Sequence, residues 1–357
     1  MIRPKRGRLP LSEVYRELYP WNNLNEFVDT IKSTIAYKTE DNSFIALNKP
    51  FGVGIYNAHD MNKNKANQDK LLYQLSGAPK YCIRDALQPL ADELKSSKPY
   101  EVIKSIDRYM SGLILVTNDA QVYAPRVNKA IAAGRSTKTP PYGFRAITYG
   151  YPTIGAKKIN ERVGLQLIEV DELGDYKEPI IVEKPSLKFV HNHNGQMKVF
   201  QTELEVKKIN REYSVALVEL YVSSFKLDFT RCYLSSKTSF ILGDVRFSKR
   251  IREILGKPIQ VSAFKSSHIY DDKYEPLNSK LRNLLGVYKN ASIPLMLDLH
   301  AIRLKGFDRT QRSKRDLVIQ SQLVPVHFAL TAERLDLLDG LSGFGHRRDT
   351  VADESIK

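Results

Sequence analysis

One stretch of the sequence gathers the residue types that nucleophilic chemistry needs: Ile106-Asp107-Arg108-Tyr109-Met110-Ser111-Gly112, running straight into Leu113-Ile114-Leu115-Val116. A carboxylate on a turn that feeds a buried apolar strand is held at the lip of a core, where a nucleophile is usefully placed. Ser111-Gly112 allows a tight backbone there. The plainer use of such an Asp is to cap its own turn, and the residues taken alone favour that use. Other constellations are weaker. His191 and His193 alternate on a candidate strand and could ligate a metal together, but no third ligand of matching spacing accompanies them, so a polar turn is preferred. Cys82 and Cys232 form no Cys-x-x-Cys pair and carry no local nucleophile signature. A Walker A loop and a dinucleotide glycine fingerprint are absent from the sequence.

The elements that must hold Asp107 follow from apolar periodicity. Val14, Leu18, Leu24, Phe27, Val28 and Ile31 give a helical stripe over 11–35, broken at Pro20. A strand over 43–48 ends at the turn signal Lys49-Pro50-Phe51-Gly52. Ile114 to Val116 reads as a short buried strand, followed by a helix with Gly134 as a plausible stop and Pro125 as a kink or true start. Arg145 to Tyr149 reads as a strand. Glu203 to Ile209 and Tyr213 to Val222 read as a hairpin joined through Asn210-Arg211-Glu212. Leu295 to Leu304 is a last strand, 305–315 a basic surface segment, and 260–290 mostly loop with one short helix. This mixed order, with hairpins instead of regular strand–helix alternation, predicts an α+β fold on a largely antiparallel sheet.

Composition sets the partner class. Fifty-five Lys and Arg against 40 Asp and Glu leave a formal charge of +15 over 357 residues. Such an excess favours polyanionic partners through counterion release, or marks a basic protein with no nucleic-acid role. No apolar run approaches the ~18–20 residues of a membrane span. Arg3, Lys5, Arg6 and Arg8 precede the first acid, Glu13; a mitochondrial targeting segment and an RNA-touching arm both fit them.

Four blocks in order give the chain a resemblance to the RluA-type pseudouridine synthases. That family carries His-Arg-Leu-Asp-x-x-Thr-Ser-Gly before an apolar strand, and here Asp107, Ser111 and Gly112 match. Its opening Val-Asn-Lys-Pro-x-Gly is similar to Leu47-Asn48-Lys49-Pro50-Phe51-Gly52. Its later block, from Gly-Arg-x-His-Gln-Ile-Arg-Val-His to Ile-Leu-Gly-Asp, corresponds without a gap to Phe225–Tyr233 and Ile241-Leu242-Gly243-Asp244. Its last, Leu-His-Ala-x-x-Leu, resembles Leu299-His300-Ala301-Ile302-Arg303-Leu304. The similarity spans about residues 43–305.

The resemblance implies a pseudouridine-synthase-like mixed, mostly antiparallel sheet split by a central active-site cleft. It implies no cofactor and no metal, and an isomerisation of uridine in structured RNA. The uridine is flipped out, an Asp attacks the nucleoside, the glycosidic bond breaks, and the uracil turns and rejoins through carbon 5. Asp107 matches the nucleophile and Arg231 the arginine that pairs with it. Counting back from Gly150, Phe144 takes the position of the stacking Tyr, with Tyr142 as the fallback. Leu242 then lies near the base pocket, and Arg108 and Lys226 join the substrate contacts. Lys226 replaces the family's first Arg in the later block, Asp228 its His, and Ser105 the Arg two residues before the nucleophile. Asp228 places a negative charge close to a phosphate-facing strand, unfavourable unless paired.

The expected organisation is a basic N-terminal extension over 1–40, a catalytic domain over 41–335 with insertions at about 53–100 and 151–200, and a tail over 336–357. Lys49, Lys157, Lys158, Arg312, Lys314 and Arg315 are candidate RNA contacts; Lys63, Lys65 and Arg309 are further candidates. Each is otherwise a solvated surface charge. Expected partners are ribosomal, messenger or transfer RNA, with mitochondrial ribosome or RNA-granule components, and the chain is expected to be a monomer without a membrane span. With too few residues before the first block for an S4 module, the resemblance points to the mitochondrial members, with cytoplasm or nucleus otherwise. The alternative is a synthase fold with weak or lost chemistry that binds RNA in ribosome assembly.

Overall fold

The computed structural model describes residues 10–56, 79–169, 177–186, 197–254, 257–261, 274–309 and 314–341. His191 and His193, Lys63, Lys65, Arg312, the basic residues before Pro10 and the tail beyond Leu341 lie outside them.

The apolar stripe at the N-terminus forms two helices, Leu11–Arg16 and Leu24–Ser33. Asn23 caps the second, its side chain accepting from Glu26 N at 2.9 Å. Phe27, Val28 and Ile31 are buried in the main core. Tyr15 reaches the far end of the chain, its hydroxyl 2.7 Å from Thr331 Oγ1 in the helix Val326–Arg334. Residues 11–33 therefore pack on the same core as the rest.

Among the described residues, twelve strands make one sheet. In chain order they are β1 (Ile35–Lys38), β2 (Phe44–Lys49), β3 (Glu101–Lys104), β4 (Ser111–Thr117), β5 (Tyr142–Tyr149), β6 (Lys158–Glu169), β7 (Lys177–Glu183), β8 (Met197–Asn210), β9 (Val215–Val222) and β10 (Phe240–Ile241). A separate two-stranded ribbon follows, β11 (Ile251–Ile254) with β12 (Lys257–Gln260), and then β13 (Leu297–Arg309) and β14 (Lys314–Gln320) return to the main sheet. The order is β1-β2-β4-β13-β5-β9-β8-β6-β7, with β3 on β4, β10 on β5 and β14 on β13. Among the described residues every pairing is antiparallel except one: β4 meets β13 in parallel through Asp298↔Ser111 and Leu299↔Gly112. This two-residue seam joins the two halves of the sheet. β4 and β5 are buried along their whole length, which explains their nearly continuous apolar runs.

Several expectations change. The insertion expected at 151–200 supplies β6, β7 and the start of β8, which extend the sheet. Within the other, at 53–100, residues 83–93 form a helix. Within the basic surface segment at 305–315, β13 runs on to Arg309 and β14 starts at Lys314, and the two pair as a hairpin. The helix Ala120–Ser136 passes through Pro125 and does not stop at Gly134. Gly134 serves instead as a close-approach point: a Cβ there would lie 3.0 Å from the Thr139 carbonyl oxygen. Residues 226–236, which carry the later family block, are a 3-10 turn over 226–228 and a helix over 229–236. No helix among the described residues is long and apolar enough to cross a membrane.

Candidate active site

Asp107 sits on an exposed turn closed by Met110 N donating to the Asp107 carbonyl at 3.1 Å. Its Oδ1 also accepts from Tyr109 N at 3.3 Å. The carboxylate thus caps its own turn, as the plainer reading of the sequence has it, while its exposed side chain stays open to a ligand.

The turn is pinned from beneath by Lys49. This residue is 1% exposed, and its Nζ donates towards four carbonyl oxygens: Met110 at 2.7 Å, Arg108 at 2.9 Å, Val53 at 3.0 Å and Pro50 at 3.1 Å. Gly52 N donates to the Arg108 carbonyl at 2.9 Å, and Arg108 Nε returns a bond to the Gly52 carbonyl at 2.8 Å. The Lys-Pro-Phe-Gly turn and the Asp107 turn are therefore stitched together. Lys49 was expected to touch RNA; it is enclosed, and its work is to bind two loops. Arg108 was expected among the substrate contacts, and its Nε is committed to the same stitch. Burial pushes the Lys49 ammonium down to about 7, with the Asp107 charge acting the other way.

Downstream, Gly112 has φ +120°, and a Cβ on it would stand 2.3 Å from the Leu299 carbonyl oxygen. That close approach lets β13 pair with β4. Beside it Ser111 Oγ donates to Asp298 Oδ1 at 2.8 Å, and Arg145 Nε donates to Asp298 Oδ2 at 2.7 Å. Asp298 is 1% exposed, and these two donors pair its carboxylate inside the protein. Leu299 faces Gly112 on one side and Phe144 on the other.

Phe144 and Tyr142 are both buried, and the half-buried Phe225 stands edge-on to each, with ring centroids 5.6 Å and 4.9 Å away. The two aromatic candidates on β5 thus meet a third ring that spacing did not single out. Burial pushes the Tyr142 hydroxyl up to about 12. Leu242 is fully buried, its N–H donating to the Ile147 carbonyl at 2.9 Å, which ties it to the same strand.

Arg231 comes from the helix Phe229–Ser236 and is almost enclosed. Its Nε and Nη2 grip Asp244 at 3.0 Å and 2.7 Å, and its Nη1 donates to Asp228 at 3.0 Å. Asp244 is fully buried and also accepts from the backbone N–H groups of Arg246 and Phe247, both at 2.9 Å. Burial alone would lower the Arg231 pKa; Asp244, Asp228 and, more weakly, Asp107 drive it well above its ordinary value. Arg231 and Asp107 were expected to pair. The arginine feels the Asp107 charge, but no ion pair within 4 Å joins them; its fork is taken by two other carboxylates.

Asp228, flagged as a lone negative charge, is doubly paired, with Oδ1 on Arg231 and Oδ2 on Arg246, each at 3.0 Å. Arg246 continues to Glu178 at 3.1 Å, and Arg250 also bonds Glu178. The guanidinium groups of Arg231, Arg246 and Arg250 flank the Phe247 ring at 5.2, 5.2 and 4.7 Å. Glu178 and Arg246 carried no signal in the sequence, because their partners lie on elements far apart in the chain.

Lys226 is exposed. Burial and then the charges of Lys226 and Arg135 hold the Lys104 ammonium below its ordinary value, so three cations gather at the end of β3. Arg135 is fixed by Nε donating to the Ser223 carbonyl at 2.9 Å.

Lys157 and Lys158 are exposed but remote. Lys158 stands opposite Glu205, and the same row runs through Glu219, Arg145 and Asp298 to Ser111. Five strand spacings put it roughly 24 Å from Ser111. Arg315 is exposed on β14. Lys314 opens that strand, and its side chain lies outside the described residues.

No family model matches the sequence, and no curated protein sequence matches it. Solved structures do. The chain is similar to human RNA pseudouridylate synthase domain containing 4, with 18% identity over 87% of this chain and 96% of that one, and a TM-score of 0.55. Human RNA pseudouridylate synthase domain containing 1 aligns over 83% and 86% at 12% identity and a TM-score of 0.43. With its mixed, mostly antiparallel sheet in the order given above, the chain has the fold of a pseudouridine synthase domain.

Proposed function

We propose that the protein is an RNA pseudouridine synthase that isomerises uridines in structured ribosomal, messenger or transfer RNA with Asp107 as nucleophile. The observation that carries this reading is the Asp107 turn itself. It is an exposed carboxylate on a loop locked from below by four carbonyl contacts to Lys49, and its charge is felt by the nearly enclosed Arg231. A nucleophile must be held still and remain reachable, and this turn does both. The carboxylate attacks the nucleoside of a flipped uridine, the glycosidic bond breaks, and the uracil turns and rejoins through carbon 5. Phe225, half-buried over Phe144 and Tyr142, supplies an aromatic face for the base, and the two buried rings hold it from behind. Lys226, Lys104 and Arg135 supply charge for the backbone. The basic residues Arg3, Lys5, Arg6 and Arg8 support a mitochondrial RNA substrate.

One observation favours a second reading, in which the fold binds RNA in ribosome assembly with weak chemistry: the Arg231 fork is spent on Asp244 and Asp228 and not on Asp107. Mapping of pseudouridine across total and mitochondrial RNA separates the two, comparing wild type with cells that carry only Asp107→Ala. Sites that vanish in the mutant support the enzyme and name its substrate. An unchanged map, with ribosomes harmed by deletion and rescued by Asp107→Ala, leaves the binding role.

A further inference from the structure

Asp228 bridges two arginines, and that bridge has the donor geometry of an anion site. Its Oδ1 accepts from Arg231 Nη1 and its Oδ2 from Arg246 Nη1, each at 3.0 Å. Two guanidinium groups converging on one small oxyanion is how proteins recognise phosphate. The trio reaches solvent in part, with side-chain exposures of 28% for Asp228, 27% for Arg246 and 16% for the more enclosed Arg231. Behind it, each arginine is anchored to a buried carboxylate: Arg231 to Asp244 and Arg246 to Glu178. Those anchors would keep both forks aimed at the same point if Asp228 withdrew. The backbone that delivers Asp228 is strained, because Leu227 and Asp228 have φ of 60° and 55° and neither is glycine. Leu227 is also exposed, so little packing holds this turn in place. Next to it Lys226, with Lys104 and Arg135 in electrostatic range, extends the positive surface along which a polyanion would lie.

We propose that Arg231 and Arg246 form a phosphate-binding site that the Asp228 carboxylate occupies in the free protein, and that a backbone phosphate of the bound nucleic acid takes its place. The strained 227–228 turn relaxes as the carboxylate leaves, and the phosphate inherits both Nη1 donors. Asp228 thus acts as an internal competitor that weakens attachment to any chain of phosphates unable to reach this point. The site itself rests on the arginine geometry; its assignment to RNA rests on the function proposed above.

The test uses the full chain, wild type and Asp228→Asn, with two probes. The first is inorganic phosphate, read as the thermal midpoint in phosphate against chloride at equal ionic strength. Phosphate is expected to raise the midpoint of Asp228→Asn by roughly 2–4 °C more than that of wild type. An equal response overturns the proposal and leaves Asp228 a structural counter-ion. The second is a short oligouridylate, read by fluorescence anisotropy over a salt series. Asp228→Asn is expected to bind it on the order of tenfold tighter, with a salt slope steeper by roughly 0.7. If Asp228→Asn does not fold, Arg246→Gln tests the site from the other side: weaker oligouridylate binding with a shallower slope supports the site, and unchanged binding overturns it. A phosphate response without oligouridylate binding keeps the site and removes RNA as its ligand.

Discussion

Lys49 Nζ lies 2.7 Å from the carbonyl oxygen of Met110, 61 residues further along the chain. With its three other carbonyl partners, this contact sets the height of the Asp107 turn above β2 and β4.

Replacing Lys49 with Met keeps much of the side-chain volume and removes the donor that four carbonyl oxygens share, although those of Arg108 and Pro50 keep the backbone N–H groups of Gly52 and Val53. Stability is expected to fall by roughly 2–4 kcal/mol. Urea unfolding measures this directly. Pseudouridine formation by the folded fraction is expected to drop as well, because the nucleophile's turn loses its floor. A variant as stable as wild type would show that the carbonyls find other partners.

Asp244→Asn leaves the Arg231 fork without its buried counter-charge. Breaking such a pair on one side costs on the order of 3–5 kcal/mol. The loss is expected as an earlier unfolding midpoint in denaturant, with the slope of the transition unchanged.

Gly112→Ala forces a Cβ into the Leu299 backbone at a φ of +120°. A loss of roughly 3–5 kcal/mol is expected, visible as a Tm lowered by about 4–7 °C. The neighbouring substitution Ser111→Ala removes only one bond to Asp298 and should cost about 1 kcal/mol.

His327 gives a pH signature. It is buried 5.6 Å from the Phe51 ring, and burial holds its pKa down at about 4, against about 6.5 in an unfolded chain. Between those values the unfolded chain binds more protons than the folded one. Stability therefore falls as pH drops from 6.5 through 4 and is complete above 6.5. The contribution is on the order of 3 kcal/mol. Chemical denaturation of wild type and His327→Phe at pH 7 and pH 4.5 checks it: the gap between the two pH values should shrink in the variant.

Legibility in the sequence followed the range of the interaction. The Asp107 turn, the β2 and β4 strands and the 203–222 hairpin are local, and their periodicity and turn residues exposed them. The seam was partly legible, because Gly112 and the block beginning at Leu299 both matched a known pattern, although no spacing said that they touch. The role of Lys49 was not legible. A lysine beside a proline turn looks like surface charge, and only the chain folding over it reveals four inward-facing carbonyls. The same holds for Asp228, whose meaning depends on Arg246 arriving from 18 residues away and on Glu178 from β7 behind it. Residues 151–200 hid β6 and β7 because their polar alternation is that of a half-exposed sheet, which reads as a mixed insertion when no neighbouring strand is known.

The seam between β4 and β13 also fixes an order of events during synthesis. Ser111 Oγ finds its acceptor, Asp298, 187 residues later in the chain. At ordinary translation rates that interval is roughly 10–40 s. Through it the Asp107 turn has its Lys49 floor but no wall on the β13 side. A nascent chain on the ribosome, already carrying basic residues close to abundant RNA, therefore cannot complete the site until its last third has emerged.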